Sequence, residues 1–350
     1  MSKKIRNIVI ILGILVVAVG ICAGLGYYYI LAPNTNVKDD GIIYLRDNST
    51  LSQVLDTLRR YGYIENTHTP GVVARLKRFT SPVKSGRYKI RDKMNNNELI
   101  NMFRSGNQYP VYFTFNNMRT LDEFAGKAHE ELNTSKEELL TLLKDADVLA
   151  DLGFDTTTIM AMFIPNTYQI YWNTPALDLL KRMKKEYHRF WNEDRMAKAS
   201  AIGLSPEQVI TLASIIEEET VKPEEYPVIA GVYINRLNRG IKLDACPTLK
   251  FVLGDFTISR ILDRYLKINS PYNTYMYAGL PPGPIRMASI KVIDSVLNYQ
   301  KHDYLYFCAK SDFSGYHNFS KTLRQHNIYA REYHQELNKR KIKLRGKAKN

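Results

Sequence analysis

The hydrophobic pattern opens with an uncharged run at residues 8–30, composed mainly of Ile, Leu, Val, Ala and Gly. A helix of this length, rising about 1.5 Å per residue, crosses a hydrocarbon core of about 30 Å. Basic residues within positions 3–6 precede it, so the positive-inside rule predicts a cytoplasmic N-terminus. The alternative, a cleaved signal peptide, has an apolar core of about 7–15 residues and a small-residue exit. This run is longer and ends in tyrosines, which favours an uncleaved single-pass anchor over residues 1–31.

The pattern after the anchor predicts a small α+β module at residues 41–110, reached through a polar linker at 32–40. A strand at 42–45 leads into a helical pattern at 51–58 that stops near Gly62. A second strand at 86–90 is followed by a helix at 98–103, with Asn95 as its cap and Gly106 as its stop. This arrangement is similar to a LysM-like domain, a common glycan-binding module.

A larger α+β region is predicted at residues 111–335. It opens with a strand at 111–115, and helical spacing follows at 120–130, 136–146, 176–195, 205–220 and 290–299. A last helical pattern starts at Leu323 and passes into a basic tail at 336–350, which we expect to be disordered.

The most informative helix is the one at 205–220. Ser205 is a plausible N-cap, Pro206 suits the first helical position, and Gln208 completes a capping box. At 100° per residue, the apolar side chains at positions 209–216 form one broad arc, which predicts a helix packed on a core.

Three glutamates end this helix. Glu217 and Glu219 fall inside the edge of the apolar arc, whereas Glu218 points with Thr211 and Ser214, toward water. Partial burial raises the pKa of a carboxyl group, and a raised pKa suits a general acid that works near neutral pH. The alternative is that all three glutamates form only a frayed, solvated helix end.

Charge and cysteine content narrow the classes of partner. The chain has 49 Lys+Arg against 35 Asp+Glu, a net charge of +14, which predicts an acidic polymer or an anionic surface as partner. The sequence contains no zinc-finger, helix-turn-helix or RNP pattern, so a nucleic-acid partner is not expected. Cys246 and Cys308 could form a disulfide or remain two small buried thiols. Cys/His spacings typical of metal sites do not occur, so neither a metal nor another cofactor is predicted.

Short motifs occur in a fixed order between residues 160 and 327. They are FIPNTY at 163–168, LASIIEEET at 212–220, VYINRL at 232–237, LDACPT at 243–248, SPYNTY at 270–275, GLPPGPI at 279–285, YLYF at 304–307, GYHNFSKT at 315–322 and HN at 326–327. Together with the anchor and the module before them, they resemble the YceG-like family of membrane-anchored endolytic murein transglycosylases.

The resemblance implies cleavage of MurNAc–GlcNAc β-1,4 bonds inside peptidoglycan strands, leaving 1,6-anhydro-MurNAc ends. It assigns the single catalytic acid to the first glutamate of the E-x-E-T motif, which is Glu217 here. The helical arc excludes Glu218 but does not choose between Glu217 and Glu219. Glu219 is then expected to support the site or to pair with a nearby cation, for which Arg236 is a candidate.

Candidate substrate-binding residues lie in three further motifs: Asn235; Tyr272, Asn273 and Thr274; and His317 and Asn318. Asn235 and Arg236 could bond acetamido or lactyl groups, and the aromatic 271–275 loop suits stacking on sugar rings. A histidine satisfied inside the core is the alternative for His317. The turn at 279–283 is expected to shape the wall of the cleft.

Two departures from the family pattern stand out. Cys246 replaces an Asp before Pro-Thr, and Met160, Ala161 and Asn166 replace the Glu-Gly and Asp of another motif. They motivate an alternative function, a noncatalytic membrane-anchored protein that binds glycan and recruits peptidoglycan synthases. We favour the enzyme, with peptidoglycan strands, the cytoplasmic membrane and peptidoglycan synthases as its expected partners. A membrane-tethered nucleic-acid binder rests on charge alone.

Overall fold

The computed structural model describes residues 2–38, 41–79, 82–258 and 261–347, with side chains described up to residue 340. The chain divides into two compact units. Unit 1 comprises Met1–Tyr112, Glu131–Asn133 and Tyr168–Thr174. Unit 2 comprises Phe113–Glu130, Thr134–Thr167 and Pro175–Asn350. Mixed α/β structure was predicted and is confirmed.

Unit 1 begins with the long apolar helix α1 (Lys3–Gly26), which continues as a π-helical turn at Tyr27–Leu31. Ser2 caps its N-terminus by accepting a hydrogen bond from the Ile5 amide. The side chains of α1 are not buried against the rest of the chain. The helix is long and apolar enough to cross a membrane.

The rest of unit 1 is built on a two-stranded antiparallel sheet, β1 (Gly41–Leu45) with β2 (Gly86–Ile90). Between the strands lie α2 (Leu51–Arg60) and α3 (His68–Leu76), and α4 (Asn96–Ser105) follows β2. Leu58, Tyr88 and Phe103 are fully buried in the core. The strands, α2 and α4 were predicted, as were Asn95 as cap and Gly106 as left-handed stop. Helix α3 was missed because its Thr-Pro-Gly sequence is typical of a turn.

The segment predicted as a linker is packed against this module over its described part. The Asn34 and Thr35 amides donate to the Met94 carbonyl at 3.0 and 3.2 Å, and both side chains are buried. The Thr35 hydroxyl donates to the Arg91 carbonyl at 2.8 Å. Residues 39–40 of the predicted linker lie outside the described residues.

Unit 2 is mainly helical. Strands β3 (Val111–Phe115) and β4 (Asn166–Ile170) form one sheet. The further elements are α5 (Leu121–Glu131), α6 (Lys136–Leu142), α7 (Ala146–Leu152), α8 (Ala176–Phe190), α9 (Glu193–Ala201), α10 (Pro206–Glu219), α11 (Tyr226–Asn238), α12 (Cys246–Leu253), α13 (Ile290–Leu297), the antiparallel pair β5 (Tyr306–Ala309) and β6 (His317–Ser320), and α14 (Leu323–Lys347).

Two predicted helices are each split by an N-cap, and the predicted tail is helical. Asp145 caps α7 and Asn192 caps α9, so the stretches predicted at 136–146 and 176–195 each become two helices. Helix α14 continues to Lys347, where the sequence predicted a disordered tail at 336–350. Residues 348–350 lie outside the described residues.

Helix α10 is the centre of unit 2 and packs on α11, α12 and α13. The predicted capping box is present, with Ser205 and Gln208 each accepting from the other's backbone amide. The prediction that Thr211 and Ser214 face water is wrong, since they are 2% and 0% exposed. The Ser214 hydroxyl donates to the Thr211 carbonyl and accepts from the Ile285 amide. Helix α10 is therefore buried on all sides from Val209 to Ile216.

Two glycines in helices of unit 2 allow a matched test of this packing. In α11, a Cβ on Gly231 would lie 2.6 Å from His302 Nε2 and closer still to the Gln300 carbonyl oxygen. In α5, a Cβ on Gly126 would meet only the Lys136 ammonium, at 4.0 Å. Gly231→Ala is expected to lower the free energy of unfolding by about 1–3 kcal/mol. Gly126→Ala is expected to raise it by about 0.5–1 kcal/mol. Chemical denaturation of the full chain in neutral detergent measures both, and equal effects would contradict the close packing at Gly231.

Candidate functional site

The last turn of α10 carries Glu217, Glu218 and Glu219, and each carboxylate has a different set of partners. Glu217 Oε1 accepts from Asn117 Nδ2 at 2.9 Å, and its Oε2 accepts from the Ser289 backbone amide at 2.8 Å. Asn117 follows β3, and Ser289 is the N-cap residue of α13. Both carboxylate oxygens are thus fixed by donors from two other segments of unit 2.

A pocket of about 300 Å³ is lined by both hydrogen-bond partners of Glu217. Its walls are formed by Thr114, Asn116, Asn117, Pro165, Asn166, Thr167 and Ser289. Amide and hydroxyl groups of this kind can donate to and accept from sugar hydroxyl and acetamido groups. The pocket also contains Asn166, the residue that replaces the family Asp.

Glu218 does not face water, and this prediction from the sequence is wrong. Its side chain is 10% exposed and pairs with two guanidinium groups, those of Arg119 and Arg286. Arg119 bonds it through Nε at 3.0 Å and Nη2 at 3.2 Å. Arg286 also donates to the backbone carbonyl of Asn117, so the same ion cluster holds the residue that contacts Glu217.

Glu219 accepts a hydrogen bond of 2.6 Å from the Tyr233 hydroxyl. Burial raises the pKa of the Glu219 carboxyl group, against the opposing effect of the Tyr233 hydrogen bond. Burial of the Tyr233 hydroxyl group, together with the Glu219 charge, raises the pKa of Tyr233 well above its ordinary value. The sequence predicts a carboxyl group with a raised pKa at the end of this helix, and in the structure Glu219 has one.

Arg236 does not pair with Glu219. Its guanidinium group is buried and bonds the Leu305 carbonyl through Nε at 2.6 Å and the Asp244 carboxylate through Nη1 at 3.0 Å. Asn235 donates to the carbonyls of His302 and Tyr304 at 2.7 and 3.0 Å. In this structure both side chains connect α11 to the segment before β5.

The loop predicted to bind sugar holds itself together through two of its polar side chains. Asn273 is 0% exposed and donates to the Leu266 and Ile268 carbonyls, while its Oδ1 accepts from the Tyr275 amide. Thr274 is 2% exposed and accepts from the Ala245 amide. Tyr272 is partly exposed and packs on Phe251, with 4.8 Å between ring centroids. Direct contact of these residues with substrate stays a prediction, and Tyr272 is the accessible one.

The remaining predicted substrate-binding residues, His317 and Asn318, lie in β6. His317 begins β6 and bonds the buried Glu225, through its backbone amide at 2.7 Å and its Nδ1 at 2.8 Å. This is the alternative of a satisfied histidine that the sequence left open. Asn318 is half-buried in β6, opposite Cys308.

Cys246 and Cys308 are both free thiols. Cys246 is the first residue of α12, and its Sγ lies 3.0 Å from the Tyr275 hydroxyl oxygen. Burial raises the pKa of Cys246. Asp244, two positions upstream, forms an ion pair with Arg236.

A larger cavity of about 780 Å³ lies at the opposite end of α10 from the glutamates. The turn at 279–282 forms part of its wall, together with Ser205, Gln208 and Leu237. Glu217 lies twelve positions after Ser205, a distance of about 18 Å along the helix axis. The 279–282 turn therefore borders this cavity rather than the pocket beside Glu217.

Four residues that build the site were missed from the sequence: Asn117, Arg119, Arg286 and Ser289. Asn117 lies 100 positions from Glu217 along the chain, and Ser289 lies 72 positions away. Ser289 carried a signal, because a serine before the helical pattern at 290–299 suits an N-cap. Asn117 and Arg119 carried none.

Comparison with known proteins places the chain among relatives of one kind. The sequence profile of the YceG-like family matches residues 43–332. A protein of Bacillus subtilis named endolytic murein transglycosylase is 29% identical over 307 residues, which cover 83% of this chain and 84% of that protein. A protein of the same name from Streptococcus pneumoniae is 25% identical over 318 residues, covering 81% of this chain but 57% of its own length. The crystal structure of a YceG-like protein of Listeria monocytogenes has 25% identity and a TM-score of 0.55, covering 83% of this chain and 99% of that one.

The raised pKa of Glu219 predicts a pH-dependent stability. At a pH below the unfolded-state pKa of about 4.3, Glu219 is protonated in both the folded and the unfolded chain, so it does not change the free energy of unfolding with pH. As pH rises through the folded-state pKa, the unfolded chain loses the Glu219 proton more readily, so stability is lost. Glu219→Gln removes this loss, and its free energy of unfolding is expected to increase relative to wild type between pH 4.5 and 7.5.

Denaturant titrations of the full chain in neutral detergent at both pH values measure this change. Glu130→Gln, at an exposed position in α5, controls for the loss of one negative charge. A difference between Glu219→Gln and wild type that does not change with pH would contradict the desolvation of Glu219.

Proposed function

The chain belongs to the YceG-like family, and we propose that it is an endolytic murein transglycosylase with Glu217 as its catalytic acid. It cleaves MurNAc–GlcNAc β-1,4 bonds within peptidoglycan strands and leaves 1,6-anhydro-MurNAc ends. Relatives from two organisms carry the name of this activity. The observation that carries the choice of acid is the position of Glu217 between Asn117 and Ser289, two residues that line one pocket.

One carboxyl group is sufficient for this chemistry. Glu217 gives its proton to the glycosidic oxygen as the C1–O4 bond breaks and oxocarbenium character develops at C1. The C6 hydroxyl of the same MurNAc then attacks C1 and returns its proton to Glu217, so the enzyme ends in its starting state. Because this attack is intramolecular, it has a high effective molarity and needs neither a bound water nor a second carboxylate.

The surroundings of Glu217 suit this cycle. The two donors to its oxygens hold the Glu217 carboxylate in a fixed position and stabilise its ionised form, the form that takes the proton back from the C6 hydroxyl. An Asn side chain can rotate to present either its NH₂ group or its carbonyl oxygen, so Asn117 can bond both the charged and the neutral carboxyl group. Asn116, Asn166 and Thr167 offer further polar groups for the sugar that carries the bond.

We assign α1 as a single membrane span with a cytoplasmic N-terminus, so the chain from about residue 32 onward lies on the outer side of the cytoplasmic membrane. The apolar helix, the basic residues before it and the tyrosines at its end support this topology. A tethered enzyme acts on glycan near the membrane, which includes newly made strands. Peptidoglycan synthases work on the same strands and stay a predicted partner.

We propose a glycan-holding role for the module of unit 1. The small α+β arrangement of this module, with α2 and α3 between the antiparallel strands β1 and β2, supports the proposed similarity to a LysM-like domain. A binding module on the tethered part would keep a polymer close to the enzyme after each cut, because linked binding sites raise the effective concentration.

Glutamine substitutions distinguish the two candidate acids. Glu217→Gln is expected to lower the release of anhydro-muropeptides from purified sacculi by about 10²–10⁴-fold, because an amide cannot supply the proton. Glu219→Gln keeps the Tyr233 hydrogen bond and is expected to retain most of the activity. Mass spectrometry of the products measures both rates and identifies the anhydro end.

Wild-type release by Glu217→Gln, together with loss in Glu219→Gln, would move the acid to Glu219. Products with reducing ends in place of anhydro ends would contradict the transglycosylase reaction itself. Denaturant titration of both variants shows that each is folded.

Asn117 is proposed as a positioning residue, and Asn116 provides its control. Asn117→Ala removes the donor to Glu217 Oε1 and is expected to lower kcat by about 10- to 100-fold, since small displacements of a catalytic group have effects of this size. Asn116 is exposed in the same pocket, and Asn116→Ala is expected to change KM more than kcat. Equal losses of kcat in both variants would show that Asn117 acts through the pocket wall and not through Glu217.

A further inference from the structure

A groove of about 840 Å³ in unit 1 has a basic lining. Three of its lining residues are cations, Lys89, Arg91 and Arg104, and one is an anion, Glu98. Glu98 is engaged in the capping box of α4, where its Oε2 accepts from the Asn95 amide at 3.2 Å. The groove therefore presents a net positive charge to a ligand.

Tyr109 fixes one side of the groove. Its amide donates to the Arg87 carbonyl at 2.7 Å, and the Arg87 guanidinium group lies 4.9 Å from the centre of its ring. The Lys89 ammonium lies over the same ring at 5.2 Å. The ring thus holds a cation at the groove edge. The Arg91 and Arg104 side chains are exposed, and within the described residues they form no ion pair.

The groove lies close to the end of the apolar helix. Met94, which lines it, accepts from the backbone amides of Asn34 and Thr35. Asn34 is three residues beyond Leu31, the end of the helical turn, and three residues span at most about 10 Å. The buried side chain of Asn96 fixes this connection. Its Nδ2 donates to the Tyr29 carbonyl and its Oδ1 accepts from the Asn34 side chain, both at 2.8 Å.

We propose that this basic groove binds a phosphate-bearing group at the membrane surface. The proposal depends on the assignment of α1 as a membrane span, but not on the catalytic role of Glu217. A headgroup layer is about 5–8 Å deep on each side of the hydrocarbon core, so the Met94 end of the groove is within reach of lipid phosphates. Guanidinium groups match phosphate oxygens with paired hydrogen bonds, and anionic lipids attract cations held near the surface.

The proposal is tested on the full chain in lipid nanodiscs. Phosphatidylglycerol and phosphatidylcholine discs are compared, and native mass spectrometry counts the lipids retained on the released protein. Arg91→Gln/Arg104→Gln is compared with Arg59→Gln/Arg60→Gln, which removes the same charge from exposed positions on α2 outside the groove. Wild type and the α2 variant are expected to retain phosphatidylglycerol, and the groove variant is expected to retain about tenfold less.

A second measurement separates the two sources of phosphate. Calorimetric titration of the full chain in neutral detergent with inorganic pyrophosphate tests a soluble ligand. Binding there that depends on Arg91 and Arg104, without selective lipid retention, would support the groove as a phosphate site and identify a soluble source. Equal lipid retention by all three proteins, with no pyrophosphate binding, would overturn the proposal. Both readouts are independent of glycan cleavage, so they stand apart from the result of Glu217→Gln.

Discussion

The structure of unit 2 depends on the end of one buried helix, where three consecutive carboxylates meet. The C-terminus of a helix already carries a partial negative charge, so three glutamates there repel both the dipole and one another. The surrounding elements place each of the three glutamates in a different environment. Arg119 and Arg286 neutralise Glu218, while Glu219 lies in a desolvated position that raises its pKa. Glu217, the proposed acid, accepts from two neutral donors, the Asn117 side chain and the Ser289 amide. The three glutamates of this turn therefore differ in the charge and solvation of their surroundings.

One short segment links that balance to the geometry of the candidate acid. Arg286 pairs with Glu218 and bonds the Asn117 backbone, and Ser289, three residues later, donates to Glu217. The Ile285 amide is fixed on Ser214 inside α10. An ion cluster that stabilises the helix end thus also sets the position of Asn117. The segment at 285–289 consequently couples stability to the placement of Glu217.

The departures from the family pattern have physical meaning in this arrangement. A second carboxylate at position 166 would face the pocket beside Glu217, and two nearby carboxylates disfavour each other's ionisation. Asn166 keeps the hydrogen-bonding capacity of that position without the charge. Cys246 lies against Tyr275, and Asp244, at a left-handed backbone position with φ of 50°, takes the pairing with Arg236. Within the described residues, neither Asn166 nor Cys246 hydrogen-bonds Asn117 or Ser289, the two donors to Glu217.

The sequence by itself determined most of the local structure, because caps, glycine stops and apolar periodicity are short-range properties of the chain. The capping box of α10, the Asn95 and Gly106 ends of α4 and the strands β1–β3 all follow from residues within a few positions of one another. It also limited the acid to the end of one helix. The tertiary structure alone decided which partner each glutamate received. Ser214 and Glu218 are contacted by segments about 70 to 100 residues away, and a helical wheel has no information about what packs on its polar side. The same holds for Asn117 and Ser289, whose contacts with Glu217 exist only because β3 and α13 are brought to the end of α10.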